Sequence, residues 1–432
     1  MILHMNDTQI NDYINKYLPV KQKEKDKYGE VFTPPHLIND VLDLFPSAAW
    51  ANPHLKWLDP CAGVGFFMIF VYKRLLHGLQ QWEPNLQKRS HHILSKMIYM
   101  AEINKTNCRI IRTLFGSTVN LFCGDFLEYN QPTTTEAFNC IVGNPPFSDD
   151  YGANKQGKRI LGGKNKLYER VFIKSYQLLD RYGFLAFIVP ANMFSGNGSA
   201  AYRIFLENSV PVIHFDNASK RWFPTIQHEL CYFLLEKTDN KNNDSTTTIQ
   251  QNNTNKFTIV LKDRPVNPIM NWTPKTEKLI NAYISNERNA VIYNRGKNKS
   301  AYRGSKYRVV YTPTTTLGTN NRDLAVGLGQ PKAIVFAISP HLEYVMDYNG
   351  ALGVGPNTFL IPFHTKAEGN KLDKFLRSDD YKAMALATKT SRQYLKLAFL
   401  EHLILTKIDK DKYTRKKRTN KRVIKTLKNR HI

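Results

Sequence analysis

From residue 56 to residue 237 the chain repeats one pattern: a short run of consecutive apolar residues, then a longer stretch with apolar positions at helical spacing. Uninterrupted apolar runs fit strands covered on both faces, and the amphipathic stretches between them fit crossover helices of a parallel sheet. The pattern predicts strands at residues 55–58, 97–101, 119–123, 138–142, 184–189, 212–215 and 230–235. It predicts helices at 35–44, 66–76, 104–115, 168–180 and 198–208. This is the signature of an α/β domain.

The pattern then stops. Residues 238–256 are mostly Asn, Thr, Gln and Lys, with almost nothing to bury, so they cannot offset their own ordering entropy and read as a flexible linker or loop. Beyond them lie strand-like stretches at 333–338 and 357–362 and a helix-like stretch at 381–405, which together suggest a second domain over 257–405. Residues 1–26 form an N-terminal extension, and 406–432 form a tail dominated by Lys and Arg. The tail, with its run Arg415, Lys416, Lys417 and Arg418, reads as a solvated end that can add nonspecific affinity for DNA or serve as a nuclear address.

Composition narrows the class. A chain of 432 residues is long enough for two or three domains with real cores. The five cysteines, Cys61, Cys108, Cys123, Cys140 and Cys231, are odd in number and contain no CxxC pair, so neither a zinc cluster nor a disulfide framework is indicated. That usage fits a reducing, intracellular setting, cytoplasmic or nuclear according to the host. The N-terminus lacks the cationic and apolar regions of a signal peptide, and the longest apolar runs fall short of a bilayer span, so a soluble chain without a membrane partner is expected. A formal net charge of +25 and a pI near 9.7 would attract a polyanion, and nucleic acid is the commonest one. Lys, Asn and Ile are abundant together, however, and a coding bias produces that too.

Candidate chemistry sits at the ends of the predicted strands. The first ends in Asp59-Pro60-Cys61-Ala62-Gly63-Val64-Gly65, where two glycines let a ligand approach the backbone and expose the amides of the next helix. Met68 replaces the third glycine of the dinucleotide fingerprint, which argues against a nicotinamide cofactor. Glu102 ends the second strand, where a carboxylate can accept both hydroxyls of a ribose. Gly124-Asp125-Phe126 ends the third, offering an acceptor for an adenine amine and a ring for its face. Asn144-Pro145-Pro146-Phe147 ends the fourth; a proline pair can simply stop a strand, but here it sets an amide and a carbonyl beside an aromatic ring. Upstream, Thr33 at a helix N-cap with proline in the first turn follows Phe32, and both can close over the methionine end of a cofactor.

In that order these segments resemble the S-adenosylmethionine-dependent N6-adenine DNA methyltransferases of restriction-modification systems. Residues 29–35 look like their motif X, 59–65 like motif I, Glu102 like the motif II acid, 124–126 like motif III and 144–147 like motif IV. Leu167-Tyr168 and residues 184–190 look like motifs V and VI, and Trp222-Phe223-Pro224 is similar, more loosely, to motif VIII. The order is that of the gamma class. The resemblance implies a Rossmann-like class I methyltransferase sheet with helices on both faces over 27–237, followed by a C-terminal α+β target-recognition domain at 257–405.

It also implies roles. S-adenosylmethionine, leaving as S-adenosylhomocysteine and with no metal, would be held by Phe32, Thr33, Asp59, Cys61, Gly63, Gly65, Glu102, Asp125, Phe126 and Asn144. Asn144, Pro145, Pro146 and Phe147 would be catalytic, with Phe147 and Phe223 stacking on a flipped-out adenine of double-stranded DNA. The segment before motif X is short for a nuclease domain, which suggests a stand-alone enzyme or one with a separate companion restriction endonuclease. The same tetrapeptide would also suit methylation of an RNA adenine or a protein glutamine, and a silent DNA-binding protein on this scaffold is the remaining alternative.

Overall fold

The computed structural model describes residues 33–403 apart from 131–136, 148–165, 196–198, 217–220, 224–228, 239–244, 252–254, 270, 295–298, 339–340, 390–394 and 396, together with residues 9 and 12. Phe32, most of the N-terminal extension and the basic tail lie outside the described residues.

Helices α1 (Pro35–Leu42) and α2 (Ser47–Ala51) lead into strand β1 (Trp57–Asp59), followed by α3 (Phe66–Gly78), α4 (Leu86–His92), β2 (Ile98–Glu102), α5 (Lys105–Phe115) and β3 (Asn120–Cys123). Then come β4 (Phe138–Gly143), α6 (Leu167–Leu178), β5 (Leu179–Pro190), α7 (Ala200–Leu206), β6 (Ser209–Asp216) and β7 (Leu230–Glu236). Every strand and helix predicted in this half exists, within a few residues. Two helices escaped prediction: α2 is only one turn, and α4, Leu-Gln-Lys-Arg-Ser-His-His, has no apolar periodicity.

The strands form one sheet of order β3-β2-β1-β4-β5-β7-β6. It is not wholly parallel: β7 inserts antiparallel between β5 and β6. The connection from β6 to β7 is short, 13 residues from 217 to 229, and the two strands pair as antiparallel neighbours. Its burial on both faces explains why β7 nonetheless reads like a parallel strand.

The predicted linker is corrected. Residues 246–251 form β8 (Thr246–Gln251), parallel to β6, and β9 (Asn255–Val260) pairs antiparallel with β8, so the sheet grows to nine strands. Thr247, Ile249 and Gln251 alternate inward. Three threonines and an isoleucine suit a pleated surface, and the edge of β6 supplies the backbone partners that the composition alone could not reveal.

Helices cover both faces. One core packs α1, α3 and α5 on residues such as Trp57, Val142 and Leu234, and the other packs α6 and α7 on Ile141, Phe187 and Phe233. In the second core Phe205 lies 4.3 Å from Phe194, 4.9 Å from Phe172 and 5.0 Å from Phe233, centroid to centroid. The cysteine expectation needs one correction. Cys108 in α5 and Cys123 at the end of β3, with Cα atoms 6.1 Å apart, are joined as a disulfide, because parallel pairing of β2 with β3 sets Cys123 beside Glu102 and the root of α5.

The remainder is α+β. After α8 (Pro274–Tyr283) come β10 (Ile292–Asn294), β11 (Tyr307–Thr312), β12 (Thr315–Thr319), β13 (Lys332–Phe336), β14 (Tyr344–Asp347), β15 (Gly353–Val354) and β16 (Thr358–Pro362). Helices α9 (Lys366–Leu376), α10 (Asp379–Ala387) and α11 (Leu397–Glu401) follow. A four-stranded sheet, β10-β16-β13-β14, meets a three-stranded one, β12-β11-β15. The single helix predicted over 381–405 is instead α10 and α11; α10 stops at Thr388, whose hydroxyl donates back to the Met384 carbonyl and competes with the helical ladder.

Removing the ring at the centre of the aromatic cluster leaves a cavity that close-packed neighbours cannot fill. Phe205→Ala is expected to cost ~3–5 kcal/mol, read from the midpoint of urea unfolding. A loss below ~1 kcal/mol would mean that the cluster collapses around the gap.

Candidate active site

Strands β2, β1, β4 and β5 run parallel as neighbours, so whatever follows their C-terminal ends shares one edge of the sheet. β3, parallel to β2, adds its own end.

At the end of β1, buried Asp59 accepts the Cys61 N–H through Oδ1 at 3.0 Å. Gly63 and Gly65 adopt φ of 57° and 87°, and a Cβ on Gly65 would stand 2.7 Å from the Phe115 ring, so position 65 requires glycine on both counts. Gly65 caps α3 without a side-chain acceptor, so the N-terminal end of the helix faces this loop.

Glu102 fastens this loop. Its Oε2 accepts the Gly63 N–H and its Oε1 the Asn104 N–H, each at 2.7 Å, while the Ala62 N–H donates to the Ala101 carbonyl at 3.0 Å. Asp125 holds the turn after β3 by accepting the Leu127 N–H through Oδ1 at 2.9 Å. Burial first, then the charges of Asp59, Glu102 and Asp125, keep the Cys61 thiol well above its usual range, which places all three acids around one loop and leaves the thiol neutral.

Phe126 does not match its predicted position. Its ring is buried, lies nearly parallel to Tyr129 at 6.3 Å and joins the core beneath the sheet, so it supports the Asp125 turn from below.

β4 delivers the tetrapeptide. Gly143 was not singled out by the sequence, yet a Cβ there would lie 2.8 Å from Asp59 Oδ1, so the missing side chain is what lets the β1 carboxyl reach the root of Asn144. A glycine closing a strand directly before Asn144 was the available signal. Asn144 donates through Nδ2 to Thr33 Oγ1 at 3.0 Å, and its Oδ1 is buried and meets no donor among the described residues. Thr33 therefore does something other than the predicted capping: Pro34 occupies the N-cap of α1, Pro35 its first turn, and the threonine hydroxyl is turned to Asn144. Pro145 is buried, and Pro146 and Phe147 are half-buried. The Phe147 ring meets that of buried Phe223 edge-on, centroids 6.5 Å apart at 79°.

Thr33, Asp59, Cys61, Gly63, Gly65, Glu102, Asp125 and Asn144 thus line one edge, with Phe147 and Phe223 beside them. A strand-end glycine loop, acids on successive strands and an amide before an aromatic define the nucleotide-cofactor edge of a doubly wound α/β enzyme. Residues 12–302 match the N-6 DNA methylase family, well over half of the chain, and the protein belongs to that family. An uncharacterized adenine-specific methylase of Mycoplasma pneumoniae is 34% identical over 128 residues, a stretch covering 28% of each chain, so the match spans less than a third of that relative. Among solved structures, the Type IIL restriction-modification enzyme MmeI in complex with DNA has a TM-score of 0.58 at 12% identity, covering 89% of this chain and 68% of that one. The Type ISP enzyme LlaGI, a nuclease-deletion mutant with a DNA substrate mimic, has a TM-score of 0.55 at 11% identity, covering 85% and 45%. At such identities the likeness is one of fold.

Burial pushes the Asp59 carboxyl from 3.8 up to about 8, the charge of Glu102 adding to the rise and the Cys61 amide opposing it. Between those values the unfolded chain is ionised while the folded one keeps the proton, so this group lowers stability as pH rises through the window and leaves it lowest above it. Asn at 59 retains an acceptor for the Cys61 amide and removes the penalty. Asp59→Asn is therefore expected to raise the melting temperature of the cofactor-free protein near pH ~8.5 and to leave it unchanged near pH ~3.5. An equal shift at both would show that the carboxyl does not titrate in this way.

Proposed function

We propose that this chain transfers a methyl group from S-adenosylmethionine to the N6 amine of an adenine in double-stranded DNA. The observation that carries this reading is the Asn144 amide, whose nitrogen is engaged by Thr33 and whose buried oxygen meets no donor among the described residues. Leaving a buried acceptor unsatisfied costs about 1–3 kcal/mol, which an arriving N–H donor recovers. A planar amine on an aromatic base is such a donor, and Phe147 with Phe223 offers the aromatic surface beside it.

S-adenosylmethionine, when bound, supplies a methyl group made electrophilic by the sulfonium. The glycine loop, Glu102 and Asp125 fit its nucleoside half, with the ribose hydroxyls toward the Glu102 carboxylate and the adenine amine toward Asp125. Thr33, Asp59 and Cys61 lie toward the tetrapeptide, with Phe32 completing the set by resemblance. An exocyclic adenine amine is a weak nucleophile because its lone pair is delocalised into the ring. Accepting its two hydrogens on Asn144 Oδ1 and the Pro145 carbonyl draws the nitrogen toward sp3 and releases the lone pair. Pro146 stiffens the backbone behind them, since proline fixes φ. Transfer leaves the nitrogen positively charged as the sulfonium becomes a neutral thioether, and the extra proton is then lost to solvent, so catalysis is orientation and charge placement with no general base required beforehand. The base must leave the duplex, at a cost of a few kcal/mol that stacking on Phe147 offsets in part. Double-stranded DNA is the macromolecular partner, and a separate restriction endonuclease is the companion this setting allows.

Tritiated S-adenosylmethionine with duplex DNA is expected to yield label in N6-methyladenine; label in RNA or protein instead would sink the proposal. Asn144→Ala should abolish transfer while cofactor binding survives. Thr33→Val should lower kcat by about 10–100-fold and Thr33→Ser restore most of it, because only the serine keeps an acceptor to aim the amide. A Thr33→Val defect confined to cofactor Kd would assign this threonine to the cofactor alone.

A further inference from the structure

Eight Lys and Arg fall between Arg288 and Arg322, and no Asp or Glu does. Residues 341–389, which complete the same α+β unit, are balanced at six cations and six anions. The positive charge of this unit is therefore concentrated on the start of β11 and the loop before it. That loop lies mostly past residue 302, where the family match ends.

Lys299, Arg303, Lys306, Arg308 and Arg322 are all exposed. None meets a carboxylate among the described residues, whereas Arg264 pairs with Glu277 at 2.7 Å, Lys332 with Asp347 at 2.6 Å and Arg377 with Asp373 at 2.8 Å. Unpaired like charges on one small surface repel one another, and they are better spread unless an anion is to be met.

The loop is also held in shape. Asn320 Oδ1 accepts the N–H groups of Ser305 and Lys306, each at 3.2 Å. Gly304, at φ 141°, lies against Gly318, where a Cβ would stand 2.0 Å from the Gly304 carbonyl oxygen. Buried Tyr302 anchors the near end by packing on Tyr311, centroids 5.6 Å apart. Arg303 and Lys306 thus project from a clasped turn.

The unit is fastened to the catalytic edge. Asn267 donates from its backbone N–H to the Ser195 carbonyl at 3.1 Å and from Nδ2 to the Phe194 carbonyl at 2.8 Å, just past the end of β5. Trp272 packs on Phe215 at the end of β6, centroids 5.6 Å apart. β5 runs parallel to β4, so both attachments lie on the edge that carries Asn144.

We propose that the clasped loop from Lys299 to Arg308 is a phosphate-gripping surface for duplex DNA. The inference rests on the DNA reading of the active site and adds where the backbone is held. Its contacts would be independent of sequence and would set the duplex against the catalytic edge.

The test is the affinity of the full chain for duplex DNA by fluorescence anisotropy across a salt series. Each lost phosphate contact flattens the slope of log K against log salt by about 0.9, so Arg303→Ala with Lys306→Ala should flatten it by about 2 and weaken binding on any sequence. Melting temperature and cofactor affinity should not move. Lys366→Ala with Lys374→Ala, from the charge-balanced part, is the control and should leave the slope unchanged. An unchanged slope in the first pair, or an equal change in both, would overturn the inference while leaving the active-site reading intact. Wild-type protein that fails to bind duplex and labels RNA instead would overturn both.

Discussion

The site depends on the parallel register of β2, β1, β4 and β5. Strands that run the same way finish at the same edge, so residues as far apart in sequence as Asp59, Glu102 and Asn144 arrive together without long side chains to reach one another. The Glu102 carboxylate turns this alignment into a fixed loop by accepting the Gly63 and Asn104 amides at once. Gly143 completes it by leaving room for Asp59 beneath Asn144.

On that edge the chemistry is a matter of acceptors. Asn144 is held by one hydrogen bond to Thr33, and its other end meets no donor among the described residues. The aromatic pair, by contrast, is closed on itself edge-on, and a base entering between Phe147 and Phe223 would have to part them.

The second unit divides its charge as the first divides its chemistry. Its larger sheet and helices are neutral in sum and carry the buried Lys332 and Asp347 pair, whereas the loop leading into β11 bears exposed cations that meet no carboxylate among the described residues. Arg264, Asn267 and Trp272 lock the junction on the catalytic edge, Arg264 and Trp272 sharing Glu277. Any polyanion that touches both units is met by acceptors at one and by positive charge at the other.

The first half of the fold was legible because consecutive strands joined by helices leave local marks: apolar runs, a glycine loop, an acid at each strand end. The order of those marks also located Asn144, Asp59, Glu102 and the two glycines. What local pattern could not carry was pairing between distant segments. A threonine-rich stretch becomes β8 only because β6 offers an open edge, and β7 lies antiparallel between β5 and β6. Phe126 went to the core, and Thr33 turned from its helix to Asn144, since a side chain's partner is chosen by three-dimensional neighbours. The sequence by itself determined the fold class and the residue types at the catalytic edge, because both follow from local periodicity and chemistry. Only the tertiary structure decided which donor each acceptor meets and which acceptor stays open, because hydrogen bonds join residues that the chain itself keeps apart.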